Sequence, residues 1–309
     1  MKLDGMHHIT MITGDAEKNV TFYADLLGLR LVKKTVNFDA PEVYHLYFGD
    51  EQGSPGSILT WFEFAGARRG RAGAGEIHTI QLGVPSESSL EFWADRLAAK
   101  DYESQRERGS LNLEDYDGLR FELVVADSDN PPLRANHPEV AAEHAILGVE
   151  GARAYIPRGL EADRELLTET LGFTELEDGE YRLDGDQRHF HWGYDVATGR
   201  GIPGAGTVHH IAWHSHDEDH VHWQQRVADA GMHPTPVIDR DYFYSVYFRQ
   251  PQDILFELAT TSPGFAIDED PAHLGEELRL PAQHEHLRAQ LERCLTPLIN
   301  PRAAARQEA

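Results

Sequence analysis

The chain has 309 residues, 40% of them hydrophobic and 9% aromatic, which is enough for two packed domains of ordinary size. Its formal net charge of −24, from 52 acidic and 28 basic residues, argues against binding to nucleic acid or to an anionic membrane, because both require basic surfaces. The sequence shows no membrane span and no apolar leader after Met1, and its single cysteine, Cys294, excludes an internal disulfide framework and predicts a cytoplasmic protein.

Lysine is scarce in this acidic chain. The acidic residues are scattered rather than grouped, and the only lysines are Lys2, Lys18, Lys33, Lys34 and Lys100. This composition is similar to that of proteins from salt-accumulating microbes, in which dissolved salt screens the repulsion between carboxylates. We therefore predict a halophilic protein whose stability rises with ionic strength.

A strand–helix–strand pattern recurs four times, which predicts four modules joined by linkers. In module one, Asp15 is the predicted N-cap of the helix and Gly28 its end. The predicted elements are strand 6–13, helix 15–27 and strands 30–38, 43–48 and 58–64 in module one; strand 78–84, helix 89–100 and a last strand 119–123 in module two; helix 163–171 and strands 173–177, 180–183 and 189–194 in module three; and a strand from 208, helix 217–230 and strands 236–239, 243–248 and 253–259 in module four. The linkers are 66–75, 127–144 and 199–206, and the tail holds a helix at 281–295 before a frayed end.

Two strands, in modules one and four, carry paired histidines, at His7-His8 and His209-His210. Side chains alternate between the faces of a strand, so His8 and His210 share a face with small residues, whereas His7 and His209 fall on the bulky apolar face. The same alternation puts Glu257, in the last strand of module four, on the face with small neighbours. Two histidines and one carboxylate with open positions are typical of a non-haem iron(II) site. The alternative is three unrelated residues.

Other polar groups offer alternatives of lower weight. His78 and Glu122 in module two, with His189 or His191 in module three, could form a second metal site, but ordinary hydrogen-bonded groups are the favoured interpretation. His78 shares its strand parity with apolar residues and is predicted to be packed. The arginine-bearing linker 66–75 could bind an anion, although a mobile, solvated connector is favoured because no strand and helix frame it. Counting from the two prolines Pro55 and Pro251, the position in module one that matches Glu257 is Trp61.

The sequence resembles the vicinal oxygen chelate superfamily, which includes glyoxalase I, bleomycin-resistance proteins and extradiol dioxygenases, and within it the hydroquinone-type ring-cleaving dioxygenases. The similar stretches are His7-His8-Ile9-Thr10, Tyr44-His45-Leu46-Tyr47-Phe48, Gly53-Ser54-Pro55-Gly56, His209-His210, Asp239-Arg240, Tyr242-Phe243, Phe256-Glu257 and Leu274-Gly275. The resemblance implies an α+β fold of four βαβββ modules that form two cup-shaped mixed sheets. It also implies an N-terminal domain, 1–135, with modules one and two, and a C-terminal domain, 136–309, with modules three and four and the helical tail.

The resemblance further implies a metal, Fe(2+) or alternatively Mn(2+), held by His8, His210 and Glu257. The residues around it would be His7, His209, Arg240 and Tyr247, with Arg240 stabilising negative charge and Tyr247 or His209 relaying protons. The substrates implied are a small aromatic diol, of hydroquinone or catechol type, and O2, both atoms of which enter the product. The oligomeric state stays open, with a homo-oligomer as one alternative.

Two other functions remain open on the same fold. A glyoxalase-type isomerase or lyase normally uses four protein ligands, whereas Trp61 stands at the fourth position here. A non-catalytic binding protein of the bleomycin-resistance kind needs no metal triad and is usually a shorter chain. Oxygen consumption with a hydroquinone would separate the three functions, because a shared fold does not decide between them.

Overall fold

Two eight-stranded mixed sheets form the body of the protein. The computed structural model describes residues 1–127, 129–157, 161–177 and 179–308. In the first sheet the strands are ordered β14-β15-β16-β13-β1-β4-β3-β2, and in the second β10-β11-β12-β9-β5-β8-β7-β6. The predicted α+β class and its two mixed sheets are confirmed.

The first sheet combines module one with module four. Its strands are β1 (Leu3–Thr13), β2 (Arg30–Val36), β3 (Tyr44–Gly49), β4 (Ile58–Glu63), β13 (Thr207–Ser215), β14 (Ile238–Asp239), β15 (Tyr244–Arg249) and β16 (Leu255–Ala259). The second sheet combines modules two and three. Its strands are β5 (Glu76–Val84), β6 (Ser104–Glu107), β7 (Ser110–Glu114), β8 (Arg120–Val125), β9 (Val149–Ile156), β10 (Thr174–Glu177), β11 (Glu180–Asp184) and β12 (His189–Val196). Each sheet therefore takes one module from each half of the chain. The predicted boundary between an N-terminal domain, 1–135, and a C-terminal domain, 136–309, stays a prediction.

One helix follows the first strand of each module. Helix α1 begins after Asp15, whose side chain accepts a hydrogen bond from the Lys18 amide as predicted for an N-cap. The chain leaves this helix at Gly28, whose φ of 72° favours glycine. The helices are α1 (Ala16–Val20, continued as π-helix Thr21–Leu26), α2 (Glu87–Ala98), α3 (Glu161–Glu165, continued as π-helix Leu166–Leu171), α4 (His220–Asp229), α5 (Arg288–Cys294) and α6 (Pro301–Glu308). None of the helices in the described ranges is long and apolar enough to cross a membrane.

The apolar faces of the two sheets share one core. Trp213 of the first sheet is fully buried, and its ring lies 5.8 Å from that of Trp192 in the second sheet and 5.2 Å from Phe256. Truncation of a buried aromatic of this kind costs roughly 3–5 kcal/mol. Because the bulky residues of β1, β13 and β16 point into this core, the small residues and the polar groups of the same strands face the opposite side of the sheet.

The two connectors that cross between the sheets pair with each other. The Arg71 amide donates to the Ile202 carbonyl at 2.8 Å and the Ile202 amide donates back to Arg71 at 2.8 Å, with further bonds from Gly70 to Ala205 and from Ala74 to Gly199. The prediction of a mobile, solvated connector at 66–75 was therefore wrong for the backbone, which is held by a second glycine-rich segment that sequence reading treats as an independent linker.

The tail differs from prediction at its end. Residues after 300 form helix α6 instead of a frayed end, and Arg302 pairs with Glu51 of module one at 2.6 Å. This contact joins residues 251 apart in the chain, so no local sequence pattern could reveal it.

Candidate metal centre

Three side chains from three adjacent strands converge on the small-residue face of the first sheet. His8 lies on β1, His210 on β13 and Glu257 on β16, and all three are buried. The Nε2 atoms of His8 and His210 are 3.2 Å apart. Glu257 Oε2 lies 2.9 Å from His210 Nε2 and 3.3 Å from His8 Nε2. The structure thus brings together the three residues that the sequence predicts as ligands.

This donor set fits a divalent metal ion. Ligand atoms about 2.1 Å from an ion lie about 3.0 Å apart on one face of an octahedron and about 3.4 Å apart in a tetrahedron. Two of the observed separations, 3.2 and 3.3 Å, lie between these values, and the third, 2.9 Å, lies just below the octahedral one. Three acceptor atoms at such distances repel one another unless a cation or a proton lies among them. Glu257 Oε2 is buried and lacks a well-aligned hydrogen bond, which is also expected of a metal ligand.

A β-bulge orients His8. In the pairing of β1 with β13, Met6 lies opposite Trp213 and His8 opposite Ala212, so His7 is an extra residue in β1. The Nδ1 atoms of His7 and His8 are 2.8 Å apart. Only one of these two nitrogens can carry the hydrogen between them, and His8 Nδ1 must be the donor for its Nε2 to be free to bind a metal ion. The Nε2 lone pair of His8 then faces Glu257, and His7 acts by fixing this tautomer.

A second bulge does the same for His210. Thr10 pairs with His210 and Met11 with Val208, so His209 is the extra residue, and its Nδ1 lies 2.8 Å from His210 Nδ1. The predicted packed face was wrong for His209, whose side chain is exposed at the cavity, because a bulge interrupts the alternation on which the prediction rested. The same prediction was right that His7 is buried. However, His7 contacts Phe243 and His8 instead of the apolar core.

Strand β15 supports Glu257 from the neighbouring position. Ser245 Oγ donates to Glu257 Oε1 at 2.5 Å, and Tyr247 is paired with Glu257 across the strands. Burial opposes ionisation of this carboxyl, but the adjacent His8 and His210 hold its pKa well below the ordinary value. The carboxylate is therefore ionised and ready to bind a cation.

A cavity of about 450 Å³ opens onto His8 and His210. Its walls are largely aromatic, from Tyr47 and Phe62 of module one and from Phe243 and Tyr247 of module four. Both remaining predicted residues lie here. The Arg240 guanidinium lies 5.4 Å from the Tyr247 ring and 5.3 Å from the Phe38 ring, and it pairs with Asp39 at 3.1 Å. Arg240 therefore lines the cavity and also pairs with an exposed carboxylate, that of Asp39.

Comparison with known proteins places the chain in a family. The sequence model of the Glyoxalase/Bleomycin resistance protein/Dioxygenase superfamily matches residues 5–123 and 154–258. The chain belongs to this superfamily. It is 42% identical over 305 residues to the Bacillus subtilis protein named "Putative ring-cleaving dioxygenase MhqO", covering 96% of this chain and 97% of that protein. It is 33% identical over 325 residues to the chlorohydroquinone/hydroquinone 1,2-dioxygenase of Sphingobium indicum, covering 96% and 98%.

The superfamily fold is also found in a solved relative. A crystal structure of a Bacillus subtilis protein superposes on this chain with a TM-score of 0.88. Its description names that protein a "putative dioxygenase". It is 41% identical in sequence and covers 96% of this chain and 98% of that one. The two-sheet architecture is therefore that of the superfamily across almost the whole chain.

Within this superfamily architecture, the position in module one that matches Glu257 is Thr60. Glu257 pairs with Ala212, two residues after His210, and Thr60 pairs with Thr10, two residues after His8. The predicted match at Trp61 was one residue too far, because the segment from Pro251 to Glu257 is one residue longer than the segment from Pro55 to Thr60. Trp61 packs into the core, 3.8 Å from the Tyr23 ring. The conclusion that module one supplies one ligand is unchanged.

Sequence reasoning missed two cavity residues, His45 and Tyr47. Tyr47 OH is 2.9 Å from His45 Nδ1, and His45 Nε2 is 2.7 Å from Thr60 Oγ1. Strand parity could have found them, because alternation along β3 places both on the face that carries Thr60. Both residues also lie in the stretch 44–48 that carries part of the family resemblance, but that resemblance assigned neither of them a role at the site.

His78 and Glu122 do not form a second metal site, and they make the ordinary hydrogen bonds that the sequence analysis favoured. His78 Nε2 lies 3.0 Å from Asp195, and Glu122 accepts from Gln81 at 2.8 Å. His78 was predicted to be packed among apolar residues and instead occupies a bulge, where it bonds to this carboxylate. Among the described residues, two partly exposed clusters of possible ligands also occur, Asp127-His189-His191 and Asp4-Asp186-His216.

Proposed function

We propose that this protein is a metal-dependent ring-cleaving dioxygenase that acts on a hydroquinone-type aromatic diol with O2 and transfers both oxygen atoms to the product. The observation that carries the proposal is an open set of two histidines and one carboxylate at the inner end of an aromatic cavity. The names of the relatives support the same reaction class over 96% of the chain. We also propose a cytoplasmic location, which the free Cys294 supports.

We propose Fe(2+) as the metal, with Mn(2+) as the alternative, held by His8, His210 and Glu257. A bound divalent ion of this kind lowers the pKa of a phenol that it contacts and supplies open positions at which the diol and O2 can meet. His7 and His209 hold the two ligand imidazoles in the correct tautomer, so we assign them positioning roles instead of the catalytic roles that the sequence suggested.

The cavity walls suit a flat aromatic diol. Tyr47, Phe62, Phe243 and Tyr247 offer apolar ring surfaces, and Arg240 is a cation at the entrance. A hydroquinone offers the metal only one oxygen, so its far hydroxyl must be held by the protein. Arg240 and Tyr247, which lie side by side in the cavity wall, are placed to donate to that oxygen. A catechol, by contrast, presents two adjacent oxygens to the metal and depends less on this grip.

The two rival functions fit the site less well. A glyoxalase-type isomerase with four protein ligands would need a donor opposite Glu257, and Thr60 there is already hydrogen-bonded to His45 and Thr10. A binding protein for aromatic compounds would need the cavity, but it would gain nothing from three converging buried donors whose desolvation is costly.

The test is oxygen uptake by iron-loaded protein with hydroquinone and with catechol. We expect hydroquinone to be the better substrate, and Arg240→Ala to reduce its turnover roughly 10- to 100-fold, as expected for a lost charge-assisted hydrogen bond, with a smaller loss for catechol. The control is Arg249→Ala, which changes an exposed arginine at the end of β15 that pairs with Asp253, and it should change neither rate. A wild-type preference for catechol, or an equal small loss on both substrates, rejects the assignment. Incorporation of label from 18O2 into both product oxygens tests the dioxygenase step itself.

A further inference from the structure

The first sheet has an internal two-fold symmetry. This symmetry relates a row of polar side chains in module one to the carboxylate of Glu257 in module four. Ile9 of β1 pairs with Ile211 of β13, and the positions on either side correspond. Under this relation Thr60 corresponds to Glu257. Tyr47 corresponds to Tyr247, because Tyr47 pairs with Thr60 as Tyr247 pairs with Glu257. His45 likewise corresponds to Ser245. Module one has thus replaced the carboxylate and its supporting serine with a threonine and a histidine.

Four side chains of module one form a continuous hydrogen-bonded row. Thr10 Oγ1 is 3.1 Å from Thr60 Oγ1, Thr60 Oγ1 is 2.7 Å from His45 Nε2, and His45 Nδ1 is 2.9 Å from Tyr47 OH. Both threonines are fully buried, whereas His45 and Tyr47 line the cavity. The row therefore starts inside the sheet and ends at a hydroxyl that faces the space above the candidate metal ligands.

The row gives Tyr47 a defined hydrogen-bonding role. Burial lowers the pKa of His45 well below its ordinary value, so the ring is neutral and has one donor and one acceptor nitrogen. When Nε2 donates to Thr60, Nδ1 accepts the Tyr47 hydroxyl hydrogen. The Tyr47 oxygen then keeps its lone pairs for a ligand, and it presents an acceptor to the cavity. His45 is a positioning residue in this arrangement, because it acts through Tyr47.

The opposite wall offers donors. Arg240 can only donate hydrogen bonds, and its guanidinium lies beside the Tyr247 ring on that wall. A buried hydroxyl on a ligand needs a donor for its oxygen and an acceptor for its hydrogen, since either group left unpaired costs free energy. Module four can supply the first of these and Tyr47 the second.

We infer that Tyr47, held by His45 and Thr60, accepts the hydrogen of the second hydroxyl of a para-diol and so selects a hydroxyl over an ether at that position. The inference rests on the proposed function for the identity of the diol. No proton is transferred in this role: a hydrogen bond forms between the ligand O–H and the Tyr47 oxygen while the Tyr47 hydrogen stays on its own oxygen.

The experiment compares hydroquinone with 4-methoxyphenol, which keeps the far oxygen as an acceptor but lacks its hydrogen. Dissociation constants are measured anaerobically on the iron-loaded protein by quenching of intrinsic fluorescence, so that turnover is not needed. We expect the wild type to bind hydroquinone about 10-fold more tightly, the ratio that corresponds to one hydrogen bond. Tyr47→Phe should weaken hydroquinone about 10-fold and leave 4-methoxyphenol within about twofold, so that the ratio approaches one.

Tyr44→Phe is the matched control. Tyr44 lies on the same strand, but its hydroxyl points away from the cavity and donates to the Thr296 carbonyl at 2.8 Å. This variant should therefore keep the wild-type ratio. His45→Leu should reduce the ratio as Tyr47→Phe does, because it releases the Tyr47 hydroxyl. If the ratio of the two dissociation constants is unchanged in Tyr47→Phe, the inference is overturned. It is also overturned if Tyr47→Phe binds 4-methoxyphenol more tightly and hydroquinone as before, because that result would indicate relief of crowding.

The same measurements separate this inference from the proposed function. A wild type that binds hydroquinone with the expected preference but consumes no oxygen contradicts the proposed reaction and leaves the role of Tyr47 supported by the ratio. Binding of neither phenol overturns both. Arg240→Ala gives an internal check, because it should weaken both phenols alike, as each offers an oxygen to accept its hydrogen bond.

Discussion

The two sheets of this protein have the same architecture and carry different groups at equivalent positions. The central pairs are Ile9 with Ile211 in the first sheet and Ile80 with Ala152 in the second, and both sheets have a bulge on each side of the pair. Counting from these pairs, the positions of His8, His210 and Glu257 are occupied in the second sheet by Thr79, Gly151 and Gly193.

Arg153 fills the space that these replacements leave. Its guanidinium pairs with Glu180 at 2.9 Å and with Asp195 at 2.7 Å, and a Cβ on Gly193 would lie only 2.6 Å from it. The second sheet therefore pairs its carboxylates with an arginine of the chain, whereas the first sheet places its carboxylate beside two histidines and a serine and pairs it with no arginine or lysine in the part of the chain that the structure describes. The difference teaches that the fold provides the pocket and that a few side chains decide whether it needs an ion from outside.

The largest expected difference between the two sheets is in how much bound metal is lost when a carboxylate or histidine is substituted. We expect Glu257→Gln or His210→Ala to lose most bound iron and all turnover, because loss of a ligand should cost more than the roughly 10- to 100-fold in metal affinity typical of an outer partner. A matched carboxylate change in the second sheet, Glu122→Gln, should keep both the metal and the turnover, because Glu122 bonds to Gln81 and not to a metal ligand. Iron content after anaerobic purification and desalting is the measurement. A full iron complement in either first-sheet variant would move the metal site elsewhere.

A smaller effect concerns His78, which occupies in the second sheet the bulge position of His7. Burial lowers the pKa of His78 to about 4, although Asp195 opposes this shift. The unfolded chain therefore binds more protons than the folded one between about pH 6.5 and pH 4, and stability falls as the pH drops through this window. The contribution is at most on the order of 3 kcal/mol.

Urea unfolding of wild type and His78→Gln, followed from pH 7 to pH 4, measures this contribution. We expect the wild type to lose more stability than the variant over that interval, with bound metal unaffected at pH 7. The exposed His222→Gln should follow the wild-type curve, since its surroundings differ little between the folded and unfolded chain. Parallel curves for wild type and His78→Gln would refute the assignment of His78 as a buried neutral group.

The smallest expected effect acts on both sheets alike. With a net charge of −24 and five lysines, repulsion between exposed carboxylates should weaken folding in dilute buffer, and added salt should screen it. We predict a melting temperature that rises by several degrees between dilute buffer and molar KCl, equivalent to about 1–2 kcal/mol. A melting temperature that is independent of KCl would show that the charges are already compensated.

The sequence was sufficient for the four modules and for the triad, because both depend on local patterns. Alternation along three strands selected His8, His210 and Glu257, and the structure brings them within hydrogen-bonding distance. Local patterns could not predict the bulges at His7 and His209, since a bulge depends on the register of a partner strand about 200 residues away in the chain. The same reason explains the one-residue error at Thr60 and the pairing of the two glycine-rich connectors.

The order of the strands has a consequence for synthesis of the protein. His8 emerges from the ribosome early, but its partner strand β13 and the carboxylate of β16 follow more than 200 residues later. An unfinished chain therefore has β1 with one open edge and a single ligand, and it cannot hold an ion tightly. Metal binding stabilises only the finished first sheet, because a ligand favours the state that binds it. Only a completely folded protein would then bind the ion. In cells short of that metal, a less stable and protease-sensitive apoprotein would accumulate.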